Sequence, residues 1–515
     1  MRIGTNVAAI VANNALQKSQ NNLSTSIERL SSGYKINGSK DDAAGCAISE
    51  KMRAQIRGLS QAQNNTADGV SVLNTAEGAI TEIQSMLTRL KELSVQAAND
   101  VNSDDEREAI QKEIEQINNE IDRISDQTEF NTQSLINGNL SRRVYSDLQG
   151  VNQLSVSDSY TAGVYGITVT EDARQAIAVG AGSITMSSTA SITEEQAGAI
   201  NINGYKISIS EGDTLDKVMG KIIDGVNITG GSAFTVKDLN NDTAANGTDY
   251  AGYVPTADYA GSTLVIMTNQ YGSDQKMNIT CDNAELADIL GIPQAATQDG
   301  IYVEGSDVKA EIATGDDGKR IGFADSAILS TKGTVITVTD VNNKEFSMDV
   351  PGNAAGTVFD DSNNDGQSAA GAGTARTISQ EVTDVGTMSI HVGANQDQVI
   401  VIDIPAITTY SLGTEHMNVM TQYTASRAIS TVDEAINKTN KIRSRIGAYK
   451  NRFDHTTNNL EVSSENLTKS LSTMIDTDMS EEMTTYTSET VLTQAATSIL
   501  AQANERPSQV LQLLQ

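Results

Sequence analysis

The stretch that decides the fold is LNTAEGAITEIQSMLTRLKELSVQA, which spans residues 73–97. Its apolar side chains recur at alternating steps of three and four residues, at Leu73, Ala76, Ile80, Ile83, Leu87 and Leu90. This spacing places them along one face of a helix and is typical of helices that pack together as coiled coils. At about 1.5 Å per residue, we predict a helical rod about 37 Å long.

A turn and a second helix follow this rod. The polar residues 99–104 predict the turn, with Ser103 or Asp104 as the N-cap of the next helix. We therefore expect the two helices to form an antiparallel hairpin. The charged residues of the second helix, such as Arg107, are interpreted as a solvated face. Its apolar stripe consists of Ile110, Ile114, Ile117, Ile121 and Ile124.

The C-terminal part of the chain carries a matching helix. Its apolar residues recur at seven-residue steps, at Ile446, Phe453, Leu460, Leu467 and Met474. A helix this long with one apolar face needs a partner. The N-terminal hairpin is the natural partner, although it lies more than 300 residues away along the chain. Both ends are thus predicted to build one bundle, with the middle inserted into it.

The two extremities of the chain carry thinner apolar stripes. Two such helices cannot bury their stripes in a single molecule and are marginal in water. We expect both ends to be disordered in the free chain and to become ordered on assembly. The predicted assembly residues are Ile3, Val7, Ile10, Leu23, Ile27 and Leu30 at one end, and Leu492, Ile499, Val510 and Leu514 at the other.

The middle of the chain changes from helical to strand patterns. Alternating β-prone runs occur at residues 165–170, 205–210, 334–339 and 398–403, separated by clusters of Gly, Asn, Asp and Ser. One helix is predicted over residues 214–226. The fold class is therefore multidomain α+β, with long N- and C-terminal helices paired as a coiled-coil-like bundle and a β-rich middle inserted between them.

Arg89 and Leu93 suggest a second contact surface on the first rod. They lie one helical turn apart and so share a face. At about 100° per residue, we interpret that face as turned away from the seam of Leu87 and Leu90. Leu93 is then expected to point outward beside Arg89.

The chain carries no recognisable catalytic pattern. His391, His416 and His455 are too far apart in sequence to form a metal pair on one helix, and neither a zinc-protease nor a phosphate-loop motif occurs. Residues 361–366 match the first half of a calcium loop, but its twelfth position is Ala372 instead of a bidentate Glu. A turn between strands is the preferred interpretation. We predict no enzymatic activity, no cofactor and no metal.

The charge balance excludes several classes of protein. The chain has 36 basic and 66 acidic residues, a net charge of −30, and nucleic-acid binding needs a basic face. Residues 141–420 hold 14 basic against 36 acidic residues, which favours a solvated middle. The chain contains no apolar run of about 18 residues, so no membrane-spanning helix is predicted. The first residues lack the pattern of a cleaved secretory leader.

Both ends of the chain resemble bacterial flagellins. Near the N-terminus the match consists of LSSGYKINGSKDDAAG at residues 30–45, TAEGAI at 75–80, LKELSVQAAN at 90–99 and NNEIDRIS at 118–125. Near the C-terminus it consists of IGAY at residues 446–449 and QVLQLL at 509–514. The match covers about half of the chain, with both ends in the right order. In the middle, residues 202–204 (ING) and 211–217 (EGDTLDK) resemble a repeat of flagellins and hook-associated proteins.

This resemblance implies a structural subunit that polymerises with copies of itself into the extracellular filament of a bacterial flagellum, for motility. It implies export through the flagellar type III apparatus, and as partners an export chaperone and the flagellar cap and hook-associated proteins. It also implies recognition by Toll-like receptor 5, with the receptor-contact positions of the family at Arg89, Leu93 and Glu113. No nucleic acid or membrane is expected as a partner.

The resemblance further implies three layers. Residues 1–42 and 476–515 would be terminal helices that line the filament lumen. Residues 43–165 and 406–475 would form a helical-bundle core with the receptor-contact face, and residues 166–405 an exposed, β-rich variable region in two subdomains. The alternatives are a hook–filament junction protein, which would be present in few copies, and a filament-borne adhesin that binds carbohydrate through the middle.

Overall fold

The computed structural model describes residues 6–157, 160–180, 182–236, 259, 261–293, 300–315, 318–340, 344–352, 359–360, 369–370, 375–383 and 385–513. The helices are α1 (Val7–Ser32), α2 (Ala43–Ala97), α3 (Asp104–Gln127), α4 (Leu215–Ile228), α5 (Ala284–Ile289), α6 (Thr409–Leu412), α7 (Gln422–Ile475) and α8 (Met479–Leu513). The strands are β1 (Glu129–Phe130), β2 (Gln133–Ser134), β3 (Val144–Ser146), β4 (Asn152–Val156), β5 (Gly163–Glu171), β6 (Ile177–Val179), β7 (Gly198–Ile202), β8 (Tyr205–Ile209), β9 (Gly231–Val236), β10 (Thr263–Thr268), β11 (Lys276–Cys281), β12 (Ile301–Glu304), β13 (Lys309–Ile312), β14 (Ile328–Lys332), β15 (Val335–Thr339), β16 (Glu345–Asp349), β17 (Phe359–Asp360), β18 (Ala369–Ala370), β19 (Arg376–Val382), β20 (Met388–His391) and β21 (Val399–Ile402).

The chain divides into two compact units, each built from segments that are distant in sequence. Unit 1 consists of Met1–Val70, Ile390–Ile400 and Asn451–Gln515. Unit 2 consists of Ser71–Ser389 and Val401–Lys450. Long terminal helices and a β-rich middle are both present, so the predicted fold class is confirmed.

In unit 2, α2 forms the centre of the helical part. Its seam is buried as predicted, since Leu73, Ile80, Ile83, Leu87 and Leu90 have no exposed surface. Lys91 Nζ lies 2.5 Å from Asp433 Oδ1 and Lys450 Nζ lies 2.8 Å from Glu77 Oε2, so α2 and α7 run antiparallel. Helix α2 is longer than predicted and begins at Ala43 rather than near Leu73. The earlier part was missed because small residues such as Ala62 and Thr66 occupy its buried positions.

The turn between α2 and α3 lies where the sequence predicts it. Ser103 is the N-cap of α3, and its hydroxyl accepts a hydrogen bond from Glu106 N while the Glu106 carboxylate accepts one from Ser103 N. The solvated position expected for Arg107 is wrong. Arg107 is 7% exposed, because its guanidinium donates to the carbonyls of Ala97 and Asn99, both at 3.2 Å. A buried guanidinium there satisfies the carbonyls that the end of α2 leaves free.

The described part of the β-rich middle contains two large apolar cores and a small third cluster of Ile177, Phe234, Val265 and Met267. The sheet β13–β5–β19–β3 and the sheet β14–β15–β16–β4 enclose one core around four aromatic rings, Tyr160, Tyr165, Phe323 and Phe346. The sheets β12–β11–β7–β8 and β6–β10–β9 enclose the other with α4 and α5, and it includes Ile200, Ile222 and Met277. All strand pairs in these four sheets are antiparallel.

The strand and helix predictions for the middle are confirmed. The four predicted runs correspond to β5, β8, β15 and β21. The predicted helix over residues 214–226 is α4, with Thr214 as its N-cap. The calcium-like stretch at residues 361–366 lies outside the described residues.

Candidate interaction surfaces

In unit 1, the terminal helices α1 and α8 pack side by side in antiparallel fashion. Asn22 Nδ2 donates to Glu489 Oε1 at 2.9 Å, and Arg29 Nη1 lies 3.6 Å from Glu482 Oε2. Apart from Glu482, which is 9% exposed, the residues that α1 and α8 bury are small: Ala12, Ser26, Ala496 and Ala503 are all less than a tenth exposed. Two helices that meet through such residues bury little apolar area.

Most of the predicted assembly residues that the structure describes are exposed. The exposed fraction is 65% for Val7, 51% for Ile10, 49% for Ile27, 50% for Leu492 and 57% for Ile499. Leu23 and Leu30 are half-buried. Ile3 and Leu514 lie outside the described residues, and so does the side chain of Val510. The terminal helix pair therefore presents a run of large apolar side chains that it does not cover itself, which is typical of an interaction surface.

The segment that leaves α1 is held against the end of α7. Gly33 ends α1 with a φ of +76°, a left-handed conformation that glycine adopts without strain. Lys35 N then donates to Ile475 O at 2.6 Å, and Thr477 N donates to Gly33 O at 2.9 Å. These bonds fix the end of α1 and the segment before α8 beside the end of α7.

In unit 2, Arg89 lies on an exposed face formed by α2 and α3. Its Nη2 is 2.8 Å from Glu113 Oε1 and its Nη1 is 3.2 Å from Glu92 Oε2. Hydrogen bonds from the guanidinium to Glu113 and then Glu92 raise the pKa of Arg89. The side chains of Arg89 and Glu113 are each about half exposed. This face thus presents a hydrogen-bonded charged pair to solvent.

The outward orientation expected for Leu93 is wrong, because its side chain is only 1% exposed. Around the axis of α2, Leu93 lies about 60° from the buried Leu90, whereas Arg89 lies about 100° from it. Leu93 is therefore closer to the buried seam than Arg89 is. Helix α2 also has two helical neighbours, as its contacts with Glu113 on α3 and Asp433 on α7 indicate. An apolar residue at the edge of the seam is therefore covered. Glu92, which the sequence did not single out, is the second partner of Arg89.

The His, Cys, Asp and Glu side chains of the described residues form no metal-binding group of three or more. His391, His416 and His455 are all exposed, and burial raises the pKa of the Cys281 thiol, which disfavours the reactive thiolate. No helix of the described part is long and apolar enough to cross a membrane.

Comparison with known proteins gives the same match at both ends of the chain. Residues 3–141 match the family model of the bacterial flagellin N-terminal helical region, and residues 429–514 match that of the bacterial flagellin C-terminal helical region. The chain is 32% identical to a flagellin of Salmonella typhimurium, over 99% of both chains. It is 30% identical to polar flagellin A of Vibrio parahaemolyticus, over 100% of this chain and 99% of the relative.

Among solved structures, FliC from Burkholderia pseudomallei covers 75% of this chain and 99% of its own at 14% identity. The TM-score of that pair is 0.22, which is too low to compare the two folds.

Proposed function

Because this chain belongs to the flagellin family, the structural subunits of the bacterial flagellar filament, we propose that it assembles through the terminal helices α1 and α8. The observation that carries the proposal is the run of exposed apolar residues on these helices, with Ile10 and Ile499 each more than half exposed. A copy that packs against this run removes its apolar surface from water. Contact between different patches of successive copies gives a filament when the rotation from one copy to the next does not close into a ring.

Ordering of the terminal helices is coupled to this assembly. The contacts between α1 and α8 consist of small buried residues such as Ala12 and Ala496 and of polar pairs such as Arg29 with Glu482. Small buried residues remove little apolar area from water, so we expect most of the stabilisation to come from neighbouring copies. The proposed arrangement has residues 1–42 and 476–515 at the lumen and the acidic middle facing water.

Truncation of either end tests assembly. Deletion of residues 1–30 or of residues 485–515 is expected to leave a soluble monomer whose middle domains keep their circular dichroism. Electron microscopy after salt-induced polymerisation should then find filaments of the full chain and none of either truncated chain. Filaments of a truncated chain would contradict the proposal.

The partners and location that follow are those of an exported filament subunit. We expect the chain to act outside the cell, after type III export with a chaperone, in contact with further copies of itself and with the cap and hook-associated proteins. Abundance separates a filament subunit from a hook–filament junction protein, since only the subunit forms a major extracellular band. The absence of that band would favour the junction protein.

We further propose that Toll-like receptor 5 contacts the face around Arg89 and Glu113. Arg89 and Glu113 support the proposal because they are exposed and hydrogen-bonded to each other at 2.8 Å. Leu93 acts differently, since it is buried and supports the backbone beneath them. Of the three predicted residues, Arg89 and Glu113 would thus contact the receptor directly, and Leu93 would support them from beneath.

Receptor-reporter cells test this face. Arg89→Ala should lower receptor activation by monomeric protein. Arg123→Ala is the matched control, because Arg123 is equally exposed on α3 and also pairs with a glutamate, Glu120, at 2.5 Å. Equal activation by both variants would remove Arg89 from the proposed contact.

A further inference from the structure

A cleft of about 390 Å³ lies in unit 2 beside the turn that leads into α3. One wall is the outer face of the sheet β12–β11–β7–β8, and the other is formed by the α2–α3 turn and the start of α7. Three tyrosines from separate segments line it, Tyr205, Tyr302 and Tyr423, together with the carboxamides of Asn278 and Gln422. Its volume falls within the range of ligand sites, about 300–1,000 Å³.

The flagellin-like repeat at residues 202–204 builds one edge of this cleft. Asn203 and Gly204 have φ angles of +49° and +90°, which form the tight hairpin turn between β7 and β8. The side chain of Asn203 then accepts a hydrogen bond from Asn278 N at 2.8 Å and donates one to Lys276 O at 3.2 Å. The turn is therefore fixed to β11.

The register of β11 and β12 sets the aromatic wall. Asn278 lies opposite Tyr302, and Lys276 lies opposite Glu304, so all four share the outer face of the sheet. The Tyr302 hydroxyl donates to Glu304 Oε1 at 2.7 Å, and Lys276 Nζ lies 5.7 Å from the centre of the Tyr302 ring. Tyr302 is nevertheless 51% exposed. Its ring is thus held in place while one side remains open to the cleft.

The charged residues that line the cleft, Arg107 and Lys276 against Asp100 and Asp104, sum to zero. Lys276 Nζ lies 2.7 Å from Glu304 Oε1. On the opposite wall, the guanidinium of Arg107 lies 3.9 Å from Asp100 and 3.8 Å from Asp104. A ligand with a net charge therefore gains little from this cleft.

The uncharged polar groups of the cleft are available to a ligand. Among the described residues, nothing forms a hydrogen bond with the hydroxyl of Tyr205 or Tyr423, or with the carboxamide of Asn278 or Gln422. Burial and then the carboxylate of Asp104 raise the pKa of Tyr205, and burial raises that of Tyr423. Both phenols therefore keep their proton and can donate as well as accept, as carboxamides also do.

We propose that this cleft binds a neutral carbohydrate chain. Sugar hydroxyls both donate and accept hydrogen bonds, which matches the free phenols and carboxamides. The apolar face of a pyranose ring matches the open face of Tyr302, because aromatic side chains provide a flat apolar surface. A second cavity of about 490 Å³ shares Asn203 and Lys276 with the first and has six Asn and Gln residues in its lining, which provides room for further sugar units. This binding activity is separate from filament assembly.

Saturation-transfer NMR on the full-length monomer tests the proposal. The probes are maltotriose, cellotriose, chitotriose, xylotriose and mannotriose, with tetramethylammonium as a cationic comparison. At least one trisaccharide should receive saturation, with a Kd of about 0.1–10 mM. Tyr302→Ala should raise that Kd about fivefold to tenfold, through loss of ring contact. Tyr145→Ala is the matched control, because Tyr145 is 55% exposed on β3 outside the cleft, and it should leave the Kd unchanged.

Three results would overturn the proposal. These are no transfer to any trisaccharide, transfer that is equally strong in Tyr302→Ala, and transfer to tetramethylammonium alone. Asn278→Ala provides a second variant that leaves the tyrosines in place and removes a free carboxamide. It should also weaken binding, and unchanged binding in both variants would place the sugar elsewhere on the chain.

Discussion

The terminal helix pair exposes its large apolar side chains, whereas the aromatic core of the middle buries them. Helices α1 and α8 bury alanine and serine while Val7 and Ile499 are more than half exposed. In the middle, the rings of Tyr165 and Phe323 lie 5.1 Å apart and Phe346 has no exposed surface. The position of the large side chains therefore indicates which region completes its own core and which leaves its apolar surface for a neighbour.

The largest expected effect separates these two regions directly. Phe346→Ala should lower the free energy of unfolding of the middle by about 3–5 kcal/mol, through a cavity in a closed core. Ile499→Ala should change the stability of the monomer by at most about 0.5 kcal/mol, because that side chain is exposed. Urea denaturation followed by tyrosine fluorescence measures both, since the chain has no tryptophan. Equal losses of unfolding free energy in the two variants would contradict the proposed difference between the two regions.

The helical part of unit 2 should behave like the aromatic core. Leu93→Ala is expected to cost about 2–5 kcal/mol, because Leu93 is 1% exposed. Arg89→Ala, one turn earlier, should leave the denaturation midpoint unchanged, because its side chain is half exposed. Thermal melts by circular dichroism compare the two. A melt of Leu93→Ala that matched the parent chain would mean that Leu93 faces solvent as the sequence alone suggested.

The seam of α2 could be predicted because large apolar residues repeat at a helical period. The region from Ala43 to Leu73 was missed because its buried positions hold residues such as Ala62 and Thr66, which create no such contrast. Leu93 was misplaced because its burial depends on two neighbouring helices, which the period of one helix does not contain.

The cleft in unit 2 could not be predicted from the sequence, because it too depends on contacts between separate elements. Its tyrosines, Tyr205, Tyr302 and Tyr423, are separated by about a hundred residues each. The hairpin turn at Asn203 and the register of β11 with β12 bring the first two near one another. The exposure of large apolar residues on the terminal helices was easier to predict, because a stripe that one helix pair cannot bury is visible in the sequence of each helix.

The third expected effect concerns assembly alone. Ile499→Ser should raise the critical concentration for polymerisation about tenfold or more, because burial of an isoleucine contributes about 1.5–3 kcal/mol. Val385→Ser is the matched control, since Val385 is 58% exposed but lies in the middle. Light scattering after seeding gives both values. A similar rise in both variants would show that exposure alone does not distinguish the terminal helices.

A fourth effect depends on pH and belongs to the self-contained middle. Hydrogen bonds from Lys217 and then Lys221, at 2.7 and 2.6 Å, hold the pKa of Asp213 well below its usual range. A lowered pKa contributes stability that is present above the unfolded value, about 3.9, and is lost as pH falls below it. Asp213→Asn should therefore be less stable than the parent at pH 7. That difference should narrow below about pH 4 in denaturation curves, and a constant difference would contradict the assignment.

The smallest expected effect tests whether the terminal helices become ordered on assembly. A double-mutant cycle of Arg29→Ala and Glu482→Ala should give a coupling of about 0.2–1 kcal/mol when filament melting is measured, because the pair is close and partly shielded at 3.6 Å. The same cycle on the melting of dilute monomer should give no coupling, because an ion pair between helices that are not yet ordered contributes nothing to unfolding. A full coupling in the monomer would mean that α1 and α8 are stable before any second copy arrives, and that their small buried residues suffice to hold them together.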